Sequence, residues 1–178
     1  TELRNQTIDL IWNGYSVTPD RQKQVLFSEP YLKNHQVLVT KRASNITSFA
    51  DMKGKALGAQ SGSSGAADID AQPAKLKNLV EKKQPALYDT FNDAFIDLNA
   101  GRIQGLVIDE VYARYYVAHQ KDPQSFRITD GSFPAESFAI GMRKSDTELA
   151  DKINTALKTL KKNGQLAKIQ QKWFGTTD

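Results

Sequence analysis

The sequence predicts an α/β protein. Three observations carry that reading. Short apolar, β-branched runs recur along the 178 residues at intervals that leave room for a helix between them. The intervening segments show helical spacing, closed by Gly and Asn stops. Apolar types make up 39% of the chain and charged types 25%, the balance of a polypeptide that buries a core. The length fits one domain or two small ones.

The elements follow in order. Residues 3–7 read as the end of a helix whose beginning is not present, and 8–12 as a buried strand. Residues 36–41 (Gln-Val-Leu-Val-Thr-Lys), 56–60, 86–88, 105–108 and 126–128 are further strands, with helices over 48–52, 65–79, 92–100 and 111–119. Such alternation argues for a mostly parallel sheet covered on both faces. Gly101 is placed just past a helix end, with Arg102 near its dipole. Thr129-Asp130-Gly131-Ser132-Phe133-Pro134 is a breaker-rich crossing, followed by a strand at 138–142 and helices at 146–162 and 165–172. Leu149, Ile153, Ala156, Leu160, Leu166 and Ile169 share one helical face, and Asn163-Gly164 separates the two helices. A strand at 8–12 finds few neighbours in the terminal segments, whereas 36–133 contains a whole sheet. The expectation is therefore a discontinuous lobe from 1–35 and 134–178, lacking its N-terminal portion, and a complete lobe from 36–133. An exposed edge on the incomplete lobe would favour self-association.

The chain carries a net charge of +4, but most of the excess lies in its last segment, with eight basic against five acidic residues from Pro134 onward. Lys152, Lys158, Lys161, Lys162, Lys168 and Lys172 read as solvated helix faces without interleaved aromatics, which argues against a nucleic-acid partner. No run approaches 18 apolar residues, and no basic-then-apolar leader opens the chain. The start at Thr1-Glu2-Leu3 suggests that a leader or anchor has been removed. With no Cys, no Gly-x-Ser-x-Gly and no His-Glu-x-x-His, there is no nucleophile or metal signature. His35 and His119 lack metal-ligand spacing, and Asp68 and Asp70 diverge on a helix. Neither a cofactor nor a metal is expected.

Three places can hold chemistry. In Asn13-Gly14-Tyr15-Ser16-Val17-Thr18-Pro19-Asp20-Arg21, Gly14 allows close backbone approach, Ser16 offers a hydroxyl and Arg21 a fork suited to a carboxylate. The same stretch also reads as a simple helix cap with Arg21 on the surface. Gln60-Ser61-Gly62-Ser63-Ser64-Gly65 follows a strand and opens a helix, as an anion nest does, or is a turn with serine caps. Asp109, ending a strand, is either a helix N-cap or a carboxylate facing an ammonium group. Together they supply a cation and donors for a carboxylate plus an anion for an amine, the recognition chemistry of an α-amino acid zwitterion.

The run from Asp9 to Arg21, followed by Val25-Leu26-Phe27-Ser28-Glu29-Pro30-Tyr31, resembles the polar-amino-acid-binding proteins of ABC importers. The resemblance continues through Ser48-Phe49-Ala50-Asp51-Met52-Lys53-Gly54-Lys55, the Gly-Ser loop, Gly101-Arg102-Ile103, Asp109 and Lys172-Trp173-Phe174-Gly175. It implies the type II periplasmic-binding-protein fold: two α/β lobes, here one complete and one truncated, with hinges near 31–35 and 134–138. It further implies that Asn13 or Gly14 offers a carbonyl to the ligand's amino group, with Ser16 nearby. Arg21 grips the α-carboxylate, aided by N–H groups of Ser63 and Ser64 in the loop of Gly62. Asp109 holds the ammonium, and Gln60 points toward the ligand side chain. The partners implied are a free polar amino acid and the membrane permease. The location implied is extracytoplasmic, periplasmic or as a cell-surface lipoprotein. Family members carry earlier aromatics that clamp the ligand side chain; Trp12, Phe27 and Tyr31 are expected in core or hinge packing instead. Two alternatives are an enzyme on the same scaffold, such as a cyclohexadienyl dehydratase, with Glu110 as its acid, or a sensing domain of a larger receptor.

Overall fold

A computed structural model describes residues 2–174. In chain order it holds α1 (Pro19–Gln24), β1 (Leu26–Phe27), β2 (Leu32–Asn34), β3 (Gln36–Lys41), β4 (Leu57–Gln60), α2 (Ser64–Ala71), β5 (Ala86–Tyr88) and α3 (Phe91–Asn99). These are followed by β6 (Gly105–Asp109), α4 (Glu110–Ala118), β7 (Phe126–Asp130), β8 (Glu136–Phe138), β9 (Gly141–Met142), α5 (Thr147–Lys162) and α6 (Gln165–Phe174). The chain divides into two compact units, one running through Asn34 and resuming at Ala135, the other His35–Pro134.

The His35–Pro134 unit is a three-layer sandwich around a five-stranded sheet of order β5-β4-β6-β3-β7. Alternation along its strands sends side chains to opposite faces. Val37, Val39, Leu106 and Ile108 join Phe91, Ala94, Phe95 and Leu98 of α3 in one core, while Leu38 and Val107 join Met52, Leu57, Ile69 and Leu76 in the other. The four buried residues of α3 recur at helical spacing, and Thr90 caps the helix by accepting the Asp93 N–H at 3.1 Å. Gly101 follows with φ +71°, the left-handed conformation that ends helices.

The sheet is mixed: β5, β4, β6 and β7 share one direction, in line with a mostly parallel sheet, and β3 alone is reversed. Parallel pairs join β4 to β5 and to β6, but β3 runs antiparallel to both β6 and β7. The cause is topological: β3 opens this unit and β7 closes it, and Val37 lies opposite Asp130, so entry and exit share one end and the two strands must run in opposite senses. The helix expected over 65–79 stops at Ala71, because Pro73 lacks an N–H and disfavours helical geometry in the residue before it. Turns carry the chain on, with Leu76 and Val80 buried.

The segment around 48–52 is a 3₁₀ turn, Phe49–Met52, held by one carboxylate. Asp51 Oδ2 accepts from the backbone N–H and hydroxyl of both Thr47 and Ser48, at 2.9–3.1 Å. The Thr47 bonds first, then those of Ser48, hold its carboxyl at about 2, below the ordinary 3.8. A depressed folded-state value stabilises above the unfolded value and is lost as pH falls through the folded one. Asp51→Asn is therefore expected to lower the Tm at neutral pH, with the difference from wild type shrinking as pH drops from about 4 to about 2. Thermal unfolding across that range checks this; a difference constant with pH would count against it.

The other unit has short ladders. β1 pairs with β9, and β2 with β8, both antiparallel. The strand expected at 8–12 reduces to one bridge, Ile11 with Gly141, and Trp12 is 58% exposed. β9 contributes only two residues and Gly141 already faces Phe27, so no longer ladder forms. The strand expected at 138–142 splits for a related reason. Between β8 and β9, the Ala139 N–H donates to Tyr15 O and the Ile140 N–H to Ser28 Oγ. Gly164, at φ +75°, separates α5 from α6. Their expected apolar face is only partly covered: Leu149, Ile153, Leu160 and Leu166 are half-buried and Ala156 and Ile169 exposed, and the buried residues of α5 are instead the neighbouring Ala150 and Leu157. The six lysines of these helices are all exposed.

Candidate functional site

The loop before α1 turns at Gly14, whose φ of +70° suits glycine. Ser16, only 1% exposed, then pairs with Phe138. Its hydroxyl donates to Glu136 Oε2, which also accepts from Asn34 Nδ2 at 3.4 Å. Its carbonyl accepts from Arg21 Nη1 at 3.0 Å. The capping reading of this stretch is seen directly: Thr18 caps α1 by accepting the Arg21 N–H and Pro19 starts the helix, while the half-buried Arg21 side chain folds back over the Tyr15 ring, 4.4 Å from its centroid. Tyr15 packs in turn on Phe27. Asn13 is exposed at the tip.

Tyr31 braces the same loop. Burial pushes its phenol pKa up, and hydrogen bonds with the Trp12 side chain and the Gly14 backbone partly offset that. Its ring meets Trp12 edge-on at 6.2 Å. Phe27 and Tyr31 are half-buried, but Trp12 is not the packed residue expected from the sequence. Its indole stands out because the surrounding backbone makes a turn rather than a strand.

In the His35–Pro134 unit, Gly62 at φ +66° lets the chain turn from β4 into α2. Ser63 is the N-cap: its hydroxyl accepts the Ala66 N–H at 3.1 Å and donates to Gln60 O at 2.8 Å, and its own N–H closes on Gln60 O at 3.3 Å. The Gln60 amide donates to Asp89 O at 3.0 Å, tying the loop to the entry of α3. Asp109 ends β6 at 7% exposure. It stands at the N-cap of α4, yet its side chain makes no cap bond to that helix. Its Oδ1 instead accepts from Gln36 Nε2 at 3.0 Å, and the same nitrogen donates to Ser64 Oγ at 3.1 Å. Asp109 and the opening of α2 thus converge on one amide.

Gln36 and Glu136 were missed by sequence reasoning. For Gln36 a signal existed: a polar residue opening the otherwise apolar strand Gln36-Val37-Leu38-Val39. Glu136 has no such mark. Glu110 pairs with Arg114 and, at 3.2 Å, with His35. His119 packs against the Tyr115 ring at a tilt. Among the described residues, no cluster of His, Cys, Asp and Glu suited to a metal occurs, and no helix is long and apolar enough to cross a membrane.

The model of bacterial extracellular solute-binding proteins, family 3, matches residues 1–176. The chain belongs to this family. The arginine-binding extracellular protein ArtP of Bacillus subtilis is 35% identical over 176 residues, covering 98% of this chain and 66% of that protein. ABC transporter arginine-binding protein 1 of Escherichia coli is 32% identical over 97% of this chain and 68% of its own length. The chain thus spans about two thirds of the curated relatives it matches. A substrate-binding protein of an ABC uptake transporter from Streptococcus pneumoniae, solved with bound histidine, matches with TM-score 0.94 and 52% identity over 99% of this chain and 72% of that one. These family-3 relatives are solute-binding proteins, not enzymes.

Proposed function

We propose that this family-3 protein captures a free polar amino acid outside the cytoplasmic membrane and delivers it to the permease of an ABC importer. In this reading residues 1–35 with 134–178 form one lobe and 36–133 the other, hinged near 31–35 and 134–138. Each lobe contributes half of the zwitterion contacts: Arg21, with backbone of Asn13 and Gly14 and the neighbouring Ser16, from the first, and Gly62, Ser63, Ser64 and Asp109 from the second. Gln60 is assigned to the side-chain end of the ligand, its amide held in place by donation to Asp89 O. A ligand that touches both lobes favours the closed state through those differential contacts.

The observation that carries the proposal is the convergence of Ser64 and Asp109 on Gln36 Nε2. It sets a helix N-terminus, which favours a carboxylate, a few ångströms from a buried acid that favours an ammonium group. An α-amino acid has both charges at that separation. The names of the matched relatives, binders of arginine and glutamine and one solved with histidine, support a polar side chain. A thermal-shift screen of the twenty amino acids tests this. One or a few polar amino acids should raise the Tm in a concentration-dependent way. No shift with any of them at millimolar concentration would contradict the reading.

A further inference from the structure

We propose that Gln36 is the positioning residue of the amino-group subsite, and that residue 65 is glycine to leave room for its amide. This rests on the zwitterion reading above.

The ladder explains the placement. Gln36 opens β3 directly opposite Asp109 of β6. With the strand period of two, both side chains leave the sheet on the face of Leu38 and Val107, where α2 packs. Gln36 is 1% exposed, and its two amide protons have two acceptors, Asp109 Oδ1 at 3.0 Å and Ser64 Oγ at 3.1 Å. A Cβ on Gly65 would lie 2.6 Å from Gln36 Oε1 and 3.2 Å from Val107 Cγ1. The glycine therefore reserves the volume that the amide fills.

The chemistry explains the residue type. A carboxylate this buried needs a donor to offset its desolvation. Lys or Arg would supply one but would also neutralise the charge and compete with an incoming ammonium group. A neutral amide fixes the carboxylate's orientation and leaves its charge to the ligand. Gln36 touches no ligand atom in this scheme; it acts through Asp109, and the Ser64 hydroxyl serves only to hold the amide in place.

The test uses Gln36→Met, which keeps length and removes the donor, and Gly65→Ala, which crowds the amide aside. Each should weaken a bound α-amino acid about ten- to hundredfold. The corresponding des-amino carboxylic acid should change less than about twofold, a selectivity that general loosening of the fold would not produce. The two losses should be non-additive in the double variant, since both act through one amide. In the ligand-free protein, the Asp109 carboxyl resonance should titrate at higher pH in Gln36→Met than in wild type, because a donor to the charged form has gone. Equal losses for both compounds, additive losses, or an unmoved Asp109 titration would overturn the proposal. Failure of wild type to bind any amino acid would instead defeat the zwitterion reading, and the ligand-free titration would still decide the role of Gln36.

Discussion

Arg21→Ala is expected to weaken amino-acid binding by about 2–5 kcal/mol, the range for removing one member of a desolvated charge pair. Two contacts fix the guanidinium before any ligand arrives: Nη1 donates to Ser16 O, and the group lies over Tyr15. A planar fork held this way meets a carboxylate with little further ordering. The helix should survive the substitution, because Thr18 caps it through the Arg21 backbone N–H, not the side chain. The loss should therefore appear in affinity while thermal unfolding changes little. Arg21→Lys keeps the charge without the fork and should fall between wild type and alanine. Calorimetry that finds less than a few-fold loss in Arg21→Ala would remove Arg21 from the site.

Asp109→Asn should have a comparable effect, about 2–5 kcal/mol for an α-amino acid, because it removes the only charge placed for the ammonium group in this scheme. The substitution is isosteric, and its oxygen can still accept from Gln36 Nε2, so the polar cluster has no reason to collapse. The distinctive expectation is its selectivity: titration with the des-amino acid should give nearly the wild-type affinity. If Asp109 served only to anchor Gln36 within the fold, both compounds would weaken together.

Most of the His35–Pro134 unit was legible in the sequence. β3 is a β-branched run that almost any reading takes as a buried strand, and α3 carries both a capping residue and an apolar face. Strand direction was less legible, because alternating βα spacing says nothing about where the chain enters and leaves the sheet. Helical spacing predicts a helix over 65–79 that runs through Pro73, and the missing N–H ends it at Ala71. Residues 8–12 have strand composition but meet a single partner residue, and composition cannot create a ladder. At the site, the residue types that suit a zwitterion could be picked from motifs. Their internal partners could not, since Gln36 and Asp109 are 73 positions apart and Ser16 and Glu136 are 120 apart. Such pairings emerge only once register is known.

In the proposed function the protein holds one zwitterion, and not a lone carboxylate or amine. Calorimetric titration of wild type with the amino acid that stabilises it best, with its des-amino acid and with its α-amide tests this most directly. Tight binding of the amino acid, with both analogues weakened at least about tenfold, is the predicted result. Equal affinity for the α-amide, which lacks the carboxylate that Arg21 and the start of α2 are assigned to hold, would rule out zwitterion recognition.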